Sequence, residues 1–296
     1  MKLANIVLNG EPTAAVYNDG KLFPIDLSLI GLSPGRIPSL GGIISNGHLD
    51  KVVEYGSVLI SGSQPVPVET VRFAPVVESP QKILMTAINY HGHLKEQKRE
   101  APDEPFFFPR YLNSLIAHRE NILKPRVSSM VDWEAELAVI IGKKGKYISR
   151  STHGEYIAGY TIANDISFRD LQLRVDSRGN RYTNWIPGKS LDRSFPLGPF
   201  LVTTDEFGDP YSKRISLKLN GEVRQNELIN DMVFGIDQLV ENISSGITLT
   251  PCDVISTGTP GGVAYFTDKR FLKAGDQLEA SIDGIGTLEN HVTDEK

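Results

Sequence analysis

The run from Asp132 to Gly142 constrains the fold more than any other stretch, because it reads as a single strand with two different faces. Side chains alternate along a strand, so Glu134 and Glu136 share one face and the apolar side chains share the other. Two carboxylates about 7 Å apart at Cα repel each other unless water or a cation neutralises them. The run therefore predicts either the solvated outer face of an edge strand or one part of a cation site.

A third carboxylate ends the next β-like run, which extends from Gly159 to Asp165. Ser167 then begins a predicted helix, with Asp170 three residues later in the spacing of a capping box. The third carboxylate therefore stands where a strand passes into a helix. Together with the two glutamates it predicts an oxygen site for a hard divalent cation, since Mg²⁺, Mn²⁺ and Ca²⁺ prefer oxygen ligands.

Length and composition argue against several classes of protein. The chain has 296 residues with 40% hydrophobic content, which is enough for a large buried core. Its net charge of -5 gives no basic footprint for nucleic acid, and no apolar run approaches the roughly 20 residues that a membrane helix needs. The single cysteine, Cys252, and the lack of a leader-like N-terminus predict a reducing, cytoplasmic location.

With 27 Gly and 18 Pro, the chain is predicted to be rich in turns and mainly β. Strand and turn signals indicate a small N-terminal β domain over residues 1–73, and a proline-rich boundary precedes a second domain over 74–296. Segment 31–47 is rich in Gly, Ser and Pro and is predicted to be irregular. Residues 215–224 read as a β-hairpin, and Asp231 is predicted to cap a helix whose apolar face includes Ile236.

His93 and Glu96 follow a predicted buried strand over 83–88 and are three residues apart. On a helix such residues are neighbours, and a carboxylate beside an imidazole orients it and raises its basicity, as a general base requires. His91 is five residues from Glu96 and is not predicted to face it. The alternative is an exposed helical turn that carries a surface histidine.

Several motifs resemble those of one known family. The runs DWEAELAVIIGK and GYTIANDISFRD resemble the two metal-ligand motifs of the fumarylacetoacetate hydrolase (FAH) superfamily, and N-Y-x-x-H-x-x-E resembles its hydrolytic His–Glu dyad. The segment WIPGKSLDRSFPLGP and the turn GTPGGV also match the family pattern. The resemblance covers residues 80–293 approximately. It implies an α+β fold that is mainly β, an FAH-type mixed β-roll or barrel with a small N-terminal β domain, and a homodimer.

The resemblance also implies a role for each matching residue. The implied catalytic residues are His93, Glu96 and Lys189, and the implied metal ligands are Glu134, Glu136 and Asp165. The implied substrate-binding residues are Arg169, Gln172, Thr259 and Arg110. Arg110 stands where relatives carry a lysine, within a segment (97–126) that acts as a lid in the family. Arg169 has an alternative role in an ion pair with Asp170 or Asp176.

The function that the resemblance implies is hydrolysis of a carbon–carbon bond in a β-diketo acid of the acylpyruvate or fumarylpyruvate type, with release of pyruvate or a similar oxo acid. Mg²⁺ is the implied cofactor, with Mn²⁺ or Ca²⁺ as alternatives, and no nucleic-acid or membrane partner is expected. Isomerases of the 5-carboxymethyl-2-hydroxymuconate type and oxaloacetate decarboxylases use the same ligands, so these activities stay open. A non-catalytic binding protein on the same scaffold is the alternative of another class.

Overall fold

The computed structural model describes residues 1–32 and 38–296. Its strands are β1 (Lys2–Leu8), β2 (Glu11–Asn18), β3 (Lys21–Pro24), β4 (Val66–Pro67), β5 (Arg72–Phe73), β6 (Ile83–Ala87), β7 (Phe106–Arg110), β8 (Leu115–Ile116), β9 (Ile122–Lys124), β10 (Val131–Asp132), β11 (Ala135–Ile141), β12 (Ile157–Asn164), β13 (Ser167–Phe168), β14 (Leu173–Val175), β15 (Arg181–Thr183), β16 (Phe195–Thr203), β17 (Arg214–Leu219), β18 (Glu222–Leu228), β19 (Val254–Ser256), β20 (Gln277–Ile282) and β21 (Gly286–Asp294). The helices are α1 (Leu40–Ser45), α2 (Leu49–Glu54), α3 (Gly56–Gly62), α4 (His91–Gln97), α5 (Arg169–Gln172), α6 (Trp185–Lys189), α7 (Thr204–Phe207) and α8 (Ile236–Gly246). Short 3-10 turns lie at Leu27–Ile30, Leu112–Ser114, His153–Tyr156, Pro210–Ser212, Ile229–Asp231 and Ala264–Phe266.

β11 lies in the middle of the largest sheet. Among the described residues, twelve strands form this sheet, and its main path runs β4-β3-β2-β1-β16-β12-β11-β19-β6-β7. β12 and β19 flank β11 in antiparallel register, with Ala135 opposite Asn164 and Ala138 opposite Ser256. Every residue of β11 is buried. The predicted strand is therefore confirmed over Ala135–Ile141, whereas Asp132 lies in β10 of a separate sheet, and the alternative of a solvated edge strand is wrong.

Two hydrophobic clusters cover the two faces of β11. Leu137 and Val139 pack in one cluster, while Ala138 and Ile140 pack in the other. Because side chains alternate, Glu136 lies on the face of Ala138 and points into the interior instead of into solvent. A carboxylate in such a place is costly unless it is paired or hydrogen-bonded.

A second sheet of five strands packs against this centre, in the order β18-β17-β20-β21-β9. Its apolar side chains, including Leu217 and Ala280, join Leu137 of β11 in one cluster. Neither large sheet closes on itself among the described residues, so they form an open roll and not a closed barrel. The predicted class, mainly β with α, is confirmed.

The pairing of β1 with β16 joins the two predicted domains in one sheet. The two strands pair antiparallel, with Lys2 opposite Val202 and Leu3 opposite Leu201. The large sheet thus runs from residues 1–73 into residues 74–296, and the division into two domains stays a prediction. The prediction of irregular structure over 31–47 is wrong at α1, where the side chain of Ser39 caps the first turn; residues 33–37 of that segment lie outside the described residues.

The capping box predicted at Ser167 is wrong. Ser167 lies in β13, its hydroxyl donates to the carbonyl oxygen of Asp165, and α5 begins two residues later at Arg169. The chain therefore passes from β12 to α5 through the two-residue strand β13, which pairs with β10. This pairing fixes the start of α5 close to the start of β11.

The predicted hairpin is confirmed as β17–β18, and the predicted helix is confirmed as α8. Its cap is wrong, because Gly235 takes the N-cap position. The carboxylate of Asp231 instead accepts a hydrogen bond from Gly92 N at 2.8 Å, in the first turn of α4. No helix in the described part of the chain has the length and apolar character to cross a membrane.

Candidate active site

Three carboxylates meet where β11 begins and β12 ends. Asp165 N donates to Glu134 O at 2.8 Å, which joins the two strand ends. Glu134, Glu136 and Asp165 each place one oxygen within 4.8 Å of the other two, and the residues are 6%, 2% and 1% exposed. The structure therefore brings together the three predicted metal ligands in a buried cluster.

Two cations reach this carboxylate cluster from α5 and α6. Lys189 Nζ lies 2.6 Å from Glu134 Oε2 and 2.6 Å from Asp165 Oδ2. Arg169 Nη2 lies 2.5 Å from Glu134 Oε1. Burial alone would raise the pKa of Glu134, but Lys189 and Arg169 outweigh burial and hold that pKa below its ordinary value. Glu134 is therefore ionised at neutral pH.

Glu136 differs from the other two because it forms no ion pair among the described residues. Its carboxylate accepts hydrogen bonds from Ser256 Oγ at 2.5 Å and from Gly258 N at 3.1 Å. Burial, followed by the charges of Asp165 and Glu134, raises the pKa of Glu136 well above its ordinary value. A nearby cation would remove this penalty, so Glu136 marks the side of the cluster where a cation fits.

The balance of buried charges around the cluster also favours binding of a divalent cation. Four buried carboxyl groups face three buried cationic side chains, so ionisation of all four leaves one negative charge in excess. The carboxylates are Asp132, Glu134, Glu136 and Asp165, and the cations are Arg110, Arg169 and Lys189. Three carboxylate donors without a thiolate or imidazole suit a hard cation of the Mg²⁺ or Mn²⁺ type.

The raised pKa of Glu136 predicts how pH and metal together set stability. A raised pKa means that the metal-free fold holds the proton more tightly than the unfolded chain, so this stabilising contribution is present at acidic pH and is lost as pH rises. Mg²⁺ competes with that proton. We expect saturating Mg²⁺ to raise the melting temperature more at about pH 8 than at about pH 5, with Glu136→Gln removing the difference. An equal rise at both pH values would contradict a cation site at Glu136.

His93 and Glu96 lie on α4, and His93 lines the same cavity as the carboxylate cluster. His93 Nδ1 is 3.5 Å from Glu96 Oε2, and Gly262 N donates to Glu96 Oε1 at 2.6 Å. The ring of Phe266 meets the His93 ring edge-on, with centroids 5.6 Å apart. His93 is only 5% exposed, so the alternative of a surface histidine is wrong. His91, which was not predicted to face Glu96, is exposed on the same helix.

A cavity of about 900 Å³ is lined by the carboxylate cluster and by His93, whereas Glu96 lies outside its described lining. Its inner wall holds the three carboxylates, His93 and Lys189, together with three of the predicted substrate-binding residues, which are Arg169, Gln172 and Thr259. The substrate roles of these residues stay predictions. Arg169 pairs with Asp132 and Glu134, so the predicted alternative pairing with Asp170 or Asp176 is wrong.

The prediction that Arg110 binds substrate requires a correction, because Arg110 lies behind the cluster and outside the described cavity lining. Its Nη1 donates to Asp165 Oδ1, and its Nη2 donates to Ser194 Oγ at 2.7 Å. It ends β7, which pairs with β6, and that pairing turns the guanidinium toward the sheet. Arg110 is only 3% exposed. It therefore neutralises a predicted metal ligand and does not contact the cavity.

The hydroxyl of Thr259 is held by two protein partners. It donates to Ala135 O at 2.8 Å and accepts from Gln225 Nε2 at 2.8 Å. Gln225 Oε1 in turn accepts from Ala135 N at 3.0 Å, so this one amide joins the glycine-rich turn to the start of β11. Sequence reasoning missed Gln225, since nothing in a hairpin sequence shows which polar residue is buried. It also missed Asp231, whose bond to Gly92 spans 139 residues.

The predicted lid segment supplies part of the outer cavity wall through six residues, Gln97, Arg99, Glu100, Pro102, Phe106 and Phe108. Phe108 stacks on Trp185 of α6, with centroids 4.3 Å apart. We expect oxalate plus Mg²⁺ to slow amide hydrogen exchange over residues 97–108 while β20–β21, on the far sheet, is unchanged. Equal exchange with and without oxalate would show that the segment does not close over the site.

Comparison with known proteins gives consistent results. A family profile described as "Fumarylacetoacetate (FAA) hydrolase C-terminal" matches residues 82–293. The chain is 40% identical over 228 residues to oxaloacetate tautomerase FAHD2A, mitochondrial, of Bos taurus, which covers 77% of this chain and 71% of that protein.

Solved structures share the fold over the full length of both chains. A probable 2-hydroxyhepta-2,4-diene-1,7-dioate isomerase from Mycobacterium abscessus is 30% identical with a TM-score of 0.79. Maleylpyruvate hydrolase from Sphingobium sp. SYK-6, solved with manganese(II) and pyruvate, is 24% identical with a TM-score of 0.81 and shows the fold alone. The relatives are enzymes of several reaction types. The profile match and the sequence identity together show that this chain belongs to the fumarylacetoacetate hydrolase family.

Proposed function

We propose that this chain is a divalent-metal-dependent enzyme that moves a proton at the carbon beside the keto group of a 2-oxo acid, interconverting the enol and keto forms of an oxaloacetate-like substrate. The observation that carries the proposal is that His93 and the three-carboxylate cluster, all buried side chains, line one cavity. The 40% identity to oxaloacetate tautomerases supports this choice of reaction.

The protein groups have separable tasks in this reaction. Glu134, Glu136 and Asp165 would hold the cation, which would supply Lewis-acid polarisation of the 2-oxo group. Glu96 faces Nδ1 of His93, so a proton on Nδ1 leaves Nε2 as the base that accepts and returns the substrate proton. The reaction balances because one proton leaves the enol oxygen and one reaches carbon 3.

We propose that Arg169 binds the substrate carboxylate. It has five N–H groups, of which three have recorded partners, namely Asp132, Gln172 and Glu134. The remaining N–H groups belong to Nη1 and Nη2 of a side chain that lines the cavity. Two parallel N–H groups suit a carboxylate.

Hydrolysis of an acylpyruvate is the second candidate, and the cavity volume of about 900 Å³ favours it, because that space exceeds the needs of a four-carbon acid. The same His93 would then deprotonate water. The isomerase and decarboxylase alternatives use the same residues, and a non-catalytic protein on this scaffold would bind 2-oxo acids without turnover.

A two-substrate assay separates these candidates. With excess Mg²⁺, a tautomerase accelerates loss of the enol absorbance of oxaloacetate, whereas a hydrolase releases pyruvate from 2,4-dioxo acids. We expect the first activity to exceed the second in kcat/KM, with Glu136→Gln as the inactive control. Pyruvate release that exceeds enol loss would make hydrolysis the better assignment. The absence of both activities would favour a non-catalytic binding protein.

The cofactor, the assembly and the location of this protein are also proposals. Mg²⁺ or Mn²⁺ is proposed as the cofactor, a homodimer as the assembly, and a reducing, cytoplasmic compartment as the location, for the reasons of sequence given above. Light scattering on the purified chain checks the assembly. Titration calorimetry with Mg²⁺, Mn²⁺ and Ca²⁺ in turn ranks the metals.

A further inference from the structure

Asp132 is a fully buried carboxylate that the proposed reaction does not use, and all of its acceptor positions are filled. Its Oδ1 accepts from Trp133 N at 2.9 Å and from Ala264 N at 2.8 Å. Its Oδ2 accepts from Arg169 Nε at 2.8 Å and from Tyr265 N at 3.1 Å. A carboxylate has about four acceptor positions, so each one here has a donor.

One partner of Asp132 belongs to the anion-binding side of the cavity. Arg169 Nε is held by Asp132, and this sets the plane in which Nη2 reaches Glu134 Oε1 and Nη1 reaches Gln172 Oε1. The guanidinium is planar, so fixing Nε fixes the directions of the remaining N–H groups. Without Asp132, Arg169 keeps its charge and loses this orientation.

The other partners of Asp132 belong to the histidine side. Ala264 and Tyr265 begin the 3-10 turn whose third residue, Phe266, packs edge-on against the ring of His93. The same loop supplies Gly262 N, which donates to Glu96 Oε1. The two hydrogen bonds that these backbone N–H groups donate to Asp132 therefore fix the loop that contacts His93 and Glu96.

We propose that Asp132 is a positioning residue that fixes the anion-binding arginine and the general base relative to each other through one saturated carboxylate. The inference rests on the proposed function for the roles of Arg169 and His93, whereas the contacts of Asp132 that link them do not depend on it. An asparagine at this place has the same shape, but its NH₂ group would face N–H donors, so at least one side of the cavity loses its support.

Asp253 provides a matched control. It is also fully buried, it pairs with Lys82 Nζ at 2.9 Å, and it accepts from Lys82 N at 3.1 Å and Thr250 N at 2.7 Å. Neither partner lines the cavity. Asp253→Asn therefore removes an equally buried charge from a similar set of donors without touching the site.

The test compares Asp132→Asn with Asp253→Asn. We expect both to lower the melting temperature, and only Asp132→Asn to raise the Kd for oxalate with Mg²⁺ about tenfold or more and to lower kcat by about 10²-fold. Equal destabilisation with wild-type Kd and kcat would reduce Asp132 to a structural residue. A change in only one of the two quantities would overturn the proposed coupling.

Ala264→Pro tests the same link if Asp132→Asn does not fold. It removes one N–H donor to Asp132 at the first position of a turn, and Val263 already has the extended conformation that precedes proline. We expect a lowered kcat, and an unchanged kcat would contradict the inference. If the wild type binds oxalate but turns over no 2-oxo acid, the proposed function fails; faster hydrogen exchange at residues 264–266 in Asp132→Asn then replaces kcat as the readout.

Discussion

Replacing His93 with alanine is expected to lower turnover of 2-oxo acids by roughly 10²–10⁴-fold, the usual contribution of a positioned general base. The buried imidazole ring of His93 lines the cavity, and no other described histidine does so. Glu96→Gln should cost less, because the imidazole remains and loses only part of its orientation. Steady-state kinetics at saturating Mg²⁺ measures both effects.

His91→Ala is the matched control for this experiment, because His91 is exposed on the same short helix. It should keep wild-type activity. Any oxaloacetate decarboxylation should fall little in His93→Ala, since loss of CO₂ needs no base. If His93→Ala turns over its substrate at the wild-type rate, another group is the base and the decarboxylase alternative gains.

Replacing Glu136 with glutamine is expected to abolish binding of Mg²⁺ and Mn²⁺ and to lower activity by about 10³-fold. The carboxylate is buried without a cationic partner in the described structure, so it is the ligand with the most to gain from a divalent cation. The same change removes a carboxyl group whose ionisation is disfavoured by burial, so the metal-free fold should be as stable as the wild type or more so. Titration calorimetry and thermal unfolding measure the two effects.

Glu279→Gln serves as the control, since Glu279 is half-buried on β20 and lies outside the cavity lining. It should leave metal affinity unchanged. Activity should also disappear in excess chelator and return with Mg²⁺ or Mn²⁺, but not with Zn²⁺. Undiminished Mg²⁺ affinity in Glu136→Gln would remove Glu136 from the ligand set.

The three-carboxylate cluster was predictable because it depends on local alternation. Glu134 directly precedes β11 and Glu136 lies within it, at alternate positions that share a face in an extended chain, and Asp165 directly follows β12, the neighbouring strand. The dyad was predictable for the same reason, since residues three apart meet on a helix. Both predictions needed only the period of the element, although burial of the carboxylates did not follow from it.

The misplaced residues depend on contacts between distant segments. Arg110 was assigned to the substrate from its place in a motif, yet the pairing of β7 with β6 turns it toward Asp165. Asp231 looked like a cap for the helix that follows it, and it caps α4 instead. Such partners are decided by how strands and turns pack, and a local pattern does not contain that information.

The pairing of β1 with β16 has a consequence for shorter relatives. The family profile begins at residue 82, after β1, so a protein limited to the matched region would leave one side of β16 without a partner. An unpaired strand edge of this length invites association with another chain. In this protein β1 covers the edge of β16, which lies next to β12, the strand directly before Asp165; a protein limited to the matched region would need another segment or another subunit to cover that edge.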